Sequence, residues 1–159
     1  MTASETPPAA ARPSPRPSPD RRDAYAAFLT FTTRWRDNDA YGHMNNVVYY
    51  EYFDTAVNQW LIEQGLLVIE TSPMIGLVVE TQCAYFAPLS FPERVTAGLR
   101  TARIGGSSVT YEIGLFRGED ATACAQGRFT HVYVERESRR PTALSPAFRD
   151  ALAGLNIGA

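Results

Sequence analysis

The sequence is poor in several features that would place it in a common class of protein. It has two cysteines, Cys83 and Cys124, which are too few for a disulfide framework and fit a reducing compartment. Its formal net charge is −2, so it lacks the basic surface with which nucleic-acid-binding proteins neutralise phosphates. No apolar run approaches the roughly 18 residues that a membrane span needs. These absences predict a soluble, cytoplasmic protein without nucleic-acid partners.

Proline is concentrated at one end of the chain. Six of the eleven prolines lie in the first nineteen residues, among Ala, Ser and Thr, and no apolar signal core accompanies them. Such a segment has few backbone donors and little apolar bulk. We therefore expect a disordered tail over residues 1–23 and one folded domain over residues 24–159.

The pattern of apolar residues predicts a sheet and one dominant helix. Period two around Leu29–Trp35 predicts a first strand, and four further strands follow from Leu77 onward, joined by Gly-containing turns. Between them, apolar residues recur every three or four positions from Tyr49 to Leu61, after the possible caps Asn45 and Asn46 and before Gly65. The fold class is α+β, with a five-stranded antiparallel sheet, its last four strands a meander, wrapped around one long helix. Open sheet edges predict dimerisation.

Chemistry-bearing side chains are concentrated just before this helix. The segment Asp37–Asn46 holds two carboxylates, one of the two histidines, a glycine and three asparagines. A calcium loop is excluded, because Tyr41 and Val48 occupy the fifth and twelfth positions, where such a loop needs oxygen ligands. The asparagines and Asp37 could simply cap the helix.

A hydrolytic site is the other interpretation of this segment. A carboxylate near the positive end of a helix stays ionised, so it can activate water or attack a carbonyl carbon. Free N–H groups at the helix start can form an oxyanion hole, and Gly42 would let a ligand approach the backbone. Acyl transfer to water requires the carboxylate and the oxyanion-hole donors to lie close together.

The segment from Arg34 to Tyr49, Arg-Trp-Arg-Asp-Asn-Asp-Ala-Tyr-Gly-His-Met-Asn-Asn-Val-Val-Tyr, resembles the signature of a known family. The family is the hotdog-fold acyl-CoA thioesterases of the 4-hydroxybenzoyl-CoA thioesterase type. Weaker resemblance extends to the segments 103–108 and 132–141, so that it covers roughly residues 30–152. The resemblance implies the hotdog fold, a homodimer or homotetramer, hydrolysis of acyl-CoA or acyl-carrier-protein thioesters, and no metal or other cofactor.

The resemblance also assigns roles to individual residues. Asp39 matches the family's catalytic carboxylate, and the backbone N–H near Asn46 matches the group that holds the thioester carbonyl. His43 matches the histidine of the motif Asp-x-Asn-x-His-x-Asn-Asn, which is found in related acyl-carrier-protein thioesterases. This chain has Tyr41 at the position of the first Asn of that motif. Phosphate-binding or acyl-binding roles are expected for Tyr41, Gly42, Asn45, Tyr49, Arg103, Ser107, Ser108, Arg139 and Arg140, because arginine and hydroxyl groups suit the phosphates of coenzyme A.

Two other functions remain open at this stage. Hydratases of the same fold resemble one another in an Asp-x-Asn-Pro-x-His segment, whereas Asp39 and His43 are four positions apart without that Asn or Pro. A non-catalytic acyl-CoA-binding module would need the pocket but no carboxylate. Outside the motif, we interpret His131 and both cysteines as packing residues, and Glu51 and Asp54 as a polar or interface face of the helix.

Overall fold

The computed structural model describes residues 17–157, so most of the predicted tail, residues 1–16, lies outside the described residues. Five strands and two helices make up the domain: β1 (Ala27–Thr32), α1 (Asn46–Glu63), β2 (Met74–Tyr85), β3 (Arg94–Ile104), β4 (Ser108–Arg117), β5 (Ala125–Glu135) and α2 (Pro146–Ala153). Among the described residues, no helix has both the length and the apolar character to cross a membrane. The predicted fold class is confirmed.

The strands form one antiparallel sheet in the order β1-β3-β4-β5-β2. The predicted meander is therefore wrong for β2, which pairs with β5 at the far edge of the sheet instead of with β3. The connection from Phe86 to Glu93 contains Pro88 and Pro92 and is too long for a tight hairpin. Periodicity identifies strands but does not identify their partners, and this is why the sequence alone did not separate β2 from β3.

A β-bulge lies in the middle of β2. The register with β5 shifts between Val78, which lies opposite His131, and Glu80, which lies opposite Thr130. One extra residue reverses the alternation of side chains. Gly76 and Val78 therefore share a face with His131 and Tyr133. Strict period two would place Leu77 and Thr81 on one face, but the bulge places them on opposite faces.

Helix α1 fills the concave face of the sheet. Its buried residues recur with helical spacing and form the predicted apolar stripe, namely Val48, Tyr49, Tyr52, Phe53, Ala56, Val57, Trp60 and Leu61. The Phe53 ring lies directly over Gly127 of β5, where a Cβ atom would stand 2.3 Å from a ring carbon. Glycine at this position lets the helix approach the sheet closely.

Two local boundaries differ from the sequence pattern. β1 ends at Thr32, and Trp35 begins a short 3-10 turn in which its side chain is 81% exposed. At the N-terminal side, Asp20 already accepts hydrogen bonds from Tyr25 and Arg100, so ordered contacts begin before residue 24. Both differences arise because single aromatic and charged residues find partners that periodicity does not encode.

Strand β2 is an edge strand with apolar side chains in solvent. Leu77, Val78 and Val79 are 38%, 46% and 60% exposed, and β2 pairs only with β5 within the described chain. A long, apolar, unpaired edge is a template for pairing with another strand. The opposite edge, β1, has only six residues.

Candidate active site

The Asp37 side chain is buried just before α1 and stabilises the loop that leads into this helix. Its carboxylate is fully buried and accepts hydrogen bonds from the Arg34 backbone N–H at 2.8 Å, from Arg34 Nε at 2.8 Å and from the Tyr52 hydroxyl at 2.7 Å. Its backbone carbonyl accepts the Asn45 N–H at 2.8 Å. With both carboxylate oxygens hydrogen-bonded within the protein, Asp37 fixes the chain at the start of the helix and is not presented to a ligand.

Asp39 is held differently, at the start of a tight turn. Its Oδ1 accepts the Tyr41 N–H at 2.8 Å and the His43 N–H at 3.4 Å, while its backbone N–H donates to the His43 carbonyl at 2.7 Å. Gly42 has a φ of +83°, which the turn requires, and a Cβ atom there would meet nothing within 4 Å. Asp39 makes no salt bridge with another described residue, so one carboxylate oxygen is left available to a reactant.

The N-terminus of α1 provides a hydrogen-bond donor beside this turn. Of the two possible caps, Asn45 is the N-cap and Asn46 is the first helical residue; the Asn45 side chain accepts the Val47 N–H at 3.2 Å, and its carbonyl accepts the Val48 N–H. The Asn46 N–H has no acceptor among residues 17–157. An unpaired N–H at the positive end of an 18-residue helix is suited to binding a developing oxyanion.

A small cavity of about 300 Å³ opens at the same place. Its walls include His43, Asn46, Tyr49 and Tyr85. The Tyr49 hydroxyl accepts the Leu89 N–H at 3.2 Å and the Tyr85 hydroxyl donates to the Asn46 carbonyl at 3.1 Å, so both phenols are fixed. Tyr85 was missed as a site residue, because its position depends on the end of β2 packing against α1, which periodicity does not reveal.

A larger cavity of about 610 Å³ lies between the second half of α1 and the Met74 end of β2. His131 forms part of its wall, on the face with Phe129 and Tyr133 that the sequence predicted. The His131 ring is 2% exposed, and neither ring nitrogen has a hydrogen-bond partner in the described chain. Burial lowers the pKa of His131 to about 4. No pattern in the sequence indicated that this side chain faces a cavity.

The predicted site residues fall into two groups at opposite ends of the sheet. Seven of them surround the start of α1: Asp39, Tyr41, Gly42, His43, Asn45, Asn46 and Tyr49. The other five lie at the far end of the sheet, where β3 ends, β4 begins and β5 has ended: Arg103, Ser107, Ser108, Arg139 and Arg140. β3 has 11 residues, so the two ends are about 35 Å apart. A single chain therefore does not bring the two groups together.

Within residues 17–157, no group of three or more His, Cys, Asp or Glu side chains is arranged to hold a metal ion. Cys83 and Cys124 are free thiols in half-buried and buried positions, and burial raises the pKa of both. Neither thiol is poised as a nucleophile.

Comparison with known proteins places the chain in a family. A family model described as the thioesterase-like superfamily matches residues 33–152. The crystal structure of the PA5185 protein from Pseudomonas aeruginosa strain PAO1 is 55% identical, covers 86% of this chain and 96% of its own, and superposes with a TM-score of 0.84.

Two further structures are similar. The PA2801 protein of Pseudomonas aeruginosa is 28% identical over 80% of this chain and 98% of its own, with a TM-score of 0.74. The SAV2348 protein of Staphylococcus aureus, solved in complex with CoA, is 21% identical over 79% of this chain and 80% of its own, with a TM-score of 0.71. At 21% identity, the similarity to SAV2348 shows a shared fold.

Proposed function

This chain belongs to the thioesterase-like superfamily and is a thioester hydrolase, and from that membership we propose that it hydrolyses acyl-CoA thioesters at the entrance to α1. The carboxylate of Asp39 and the N–H of Asn46 are the reacting and stabilising groups. The observation that carries the proposal is their pairing in one place: a carboxylate with an available oxygen and an unpaired helix N-terminal N–H, beside a cavity.

Two routes use the same groups. As a nucleophile, Asp39 attacks the thioester carbonyl carbon, the C–S bond breaks to release the CoA thiolate, and water hydrolyses the resulting mixed anhydride. As a general base, Asp39 takes a proton from water while that water attacks the same carbon, and the resulting tetrahedral intermediate then breaks its C–S bond to release the CoA thiolate. In either route the carbonyl oxygen gains negative charge, which the Asn46 N–H stabilises by about 3 kcal/mol if well placed. His43 is exposed at the cavity wall and is positioned to contact the thioester.

We propose that the complete site forms between two copies of the chain. An antiparallel two-fold pairing of β2 with β2 of a second copy would cover Leu77, Val78 and Val79. It would also place the Met74 end of one strand beside the Tyr85 end of the other. The 610 Å³ cavity of one copy, together with its Arg103, Arg139 and Arg140, would then lie near Asp39 of the other copy. This arrangement resolves the 35 Å separation within one chain, and further pairing of dimers would give a tetramer.

The dimer proposal is tested by placing a charge on the β2 edge. Val79→Glu puts a carboxylate beside the exposed Glu80 near the centre of the pairing, where like charges from two copies would meet. We expect the mass measured by light scattering to fall to that of a monomer and kcat to fall at least ~10-fold, because each site loses its partner's cavity. Ile157→Glu, at a 43% exposed apolar residue outside β2, is the matched control. Full activity in a monomeric Val79→Glu protein would contradict the shared site.

The hydrolysis itself is tested with a panel of thioesters. Straight-chain, branched and aromatic acyl-CoAs are incubated with the full chain, and released thiol is detected with a chromogenic reagent. We expect turnover of at least one class with kcat of about 1 s⁻¹ or more. SAV2348 binds CoA, and this supports CoA over a carrier protein as the leaving group. Acyl-carrier-protein thioesters in the same assay decide between the two. Absence of thiol release from every thioester would overturn the proposal.

Adding crotonyl-CoA to the same panel distinguishes hydration of an enoyl thioester from hydrolysis. Crotonyl-CoA loses its ultraviolet absorbance when its double bond is hydrated, without releasing thiol. The chain lacks the Asn and Pro of the hydratase segment between Asp39 and His43. We therefore expect no absorbance loss in the absence of thiol release. Binding of acyl-CoA for hours without either change would instead indicate a binding module.

A further inference from the structure

The first turn of α1 is exposed, although it carries the proposed oxyanion donor. Asn46 and Val47 are both exposed, and the Asn46 N–H has no acceptor among residues 17–157. Residues at helix ends fray, because part of their backbone hydrogen-bonding capacity has no intrahelical partner. A donor stabilises an oxyanion well when its direction is fixed before the reaction begins. Contacts from outside the helix are therefore needed to hold this turn.

The peptide group between Asn46 and Val47 is held at both ends. The Tyr85 hydroxyl donates to the Asn46 carbonyl at 3.1 Å, and the Val47 N–H donates to Asn45 Oδ1 at 3.2 Å. Within the part of the chain that the structure describes, no other side chain hydrogen-bonds to the backbone of residues 46–49. Because a peptide group is planar, fixing its two ends also fixes the orientation of the residue to which it is joined, and so the direction of the Asn46 N–H.

The sheet holds Tyr85 firmly. Its backbone pairs with Ala125 at the start of β5. Its ring meets the Tyr49 ring edge to face, with the centroids 4.9 Å apart and the planes at 89°. The Tyr49 hydroxyl is in turn fixed by the N–H of Leu89, a fully buried residue. The Tyr85 hydroxyl therefore reaches the start of α1 from a strand and not from the helix that it supports.

The state of the Tyr85 hydroxyl suits a supporting role. Burial, together with the nearby Cys83, raises the pKa of this phenol, so it stays protonated at pH 7. As a protonated donor it is already engaged by the Asn46 carbonyl. Tyr85 also forms part of the wall of the cavity of about 300 Å³, as His43 and Asn46 do. Its hydrogen bond thus lies at the site itself, without a proton-transfer function of its own.

We propose that Tyr85 is a positioning residue for hydrolysis, and that its hydrogen bond to the Asn46 carbonyl holds the Asn46 N–H in the direction of the thioester oxygen. This inference rests on the proposed function, in which the Asn46 N–H stabilises the oxyanion. It adds a residue from β2, outside the segment from Arg34 to Tyr49. A fixed donor favours the transition state over the bound substrate, so loss of the hydroxyl lowers kcat more than it raises KM.

The experiment removes this hydroxyl and keeps the ring. In Tyr85→Phe, we expect kcat on the best acyl-CoA of the panel to fall about fivefold or more, with KM within about twofold of wild type, because a small misplacement of a stabilising group slows the chemical step. The thermal unfolding midpoint should fall by less than about 4 °C, since one neutral hydrogen bond contributes little to stability. A hydrogen bond that served the fold alone would lower the midpoint and leave kcat unchanged well below it.

The matched control removes a tyrosine hydroxyl elsewhere. Tyr25 packs against Gly98 and Gly114 in a separate apolar cluster, and its hydroxyl donates to Asp20 at 3.2 Å. Tyr25→Phe should leave kcat and KM unchanged. The pH dependence is a second readout: the loss of kcat in Tyr85→Phe should be the same at every pH below the ordinary tyrosine pKa of about 10. A loss that varied with pH would show that Tyr85 transfers a proton and would overturn the positioning role.

A double-mutant cycle tests whether Tyr85 acts through this peptide group. Asn45→Ala releases its other end, so the combined variant should lose less activity than the product of the two single losses. A loss equal to the full product would contradict action through the peptide group between Asn46 and Val47.

Two results separate this inference from the function on which it rests. If kcat of Tyr85→Phe lies within twofold of wild type, the positioning role is wrong and the thioesterase function stands. If the wild-type chain releases no thiol from any thioester of the panel, the proposed function fails and this inference fails with it.

Discussion

Asp39→Asn is expected to lower kcat at least ~10²-fold on the best acyl-CoA, with the structure of the turn preserved. The amide oxygen of asparagine can still accept the Tyr41 N–H that Asp39 Oδ1 accepts at 2.8 Å, so the loop keeps its shape. An amide is neither a base nor a useful nucleophile at pH 7, and loss of either role costs at least this factor. The measurement is steady-state thiol release, with the thermal unfolding midpoint as the check on folding.

A labelling experiment distinguishes the two roles of Asp39. In single-turnover hydrolysis in ¹⁸O water, a nucleophilic carboxylate receives ¹⁸O when water attacks the mixed anhydride at its aspartyl carbonyl, whereas a general base does not. Mass spectrometry of the peptide that contains Asp39 detects the difference. Turnover of Asp39→Asn within a few-fold of wild type would show that the reacting group lies elsewhere.

Asp37→Asn is expected to affect stability strongly and chemistry weakly. The substitution removes a fully buried charge that accepts from Arg34 twice and from the buried Tyr52 hydroxyl. Burial, with the Asp37 carboxylate beside it, raises the pKa of Tyr52, so its phenol stays protonated and donates to that carboxylate. Breaking such a buried charged network costs about 3 kcal/mol. In a chain of this size, that lowers the unfolding midpoint by roughly 6–12 °C.

Comparison of the two aspartates makes both predictions sharper. They are two positions apart and chemically identical, so solvent, expression and assay effects act on both variants alike. Asp39→Asn should change kcat at an unchanged midpoint, and Asp37→Asn should change the midpoint while kcat, measured well below it, stays within about tenfold. The comparison uses calorimetry at one fixed protein concentration, because association raises apparent stability. An unchanged midpoint in Asp37→Asn would show that the buried network contributes little.

The features predicted correctly from the sequence are those decided by neighbouring residues. The helix from Asn46 to Glu63 with its Asn45 cap follows from local spacing and capping chemistry, and the structure confirms it. The family was indicated by the contiguous segment from Arg34 to Tyr49, and the match over residues 33–152 confirms it. The roles proposed for Asp39, His43 and Asn46 remain predictions until they are measured.

The features missed are those decided by contacts distant in sequence. β2 pairs with β5, about fifty residues later, and its bulge near Val79 moves the inward-facing positions from even to odd numbers. Gly76 and His131 face one cavity only because of that pairing. The resemblance already separated Asp39 from Asp37, but the burial of Asp37 against Tyr52 depends on a contact fifteen residues away that local spacing does not show.

The contact between Phe53 and Gly127 sets where the reaction can occur. The Phe53 ring packs directly on the β5 backbone at Gly127. This contact fixes both the height of α1 above the sheet and the position of α1 along its own axis. Asn46 lies seven residues before Phe53, so its N–H is about 10 Å from this anchor along a rigid rod. Gly127 thus acts as the reference point for the position of the Asn46 N–H, and a methyl group added there would displace Phe53 and with it the proposed oxyanion donor.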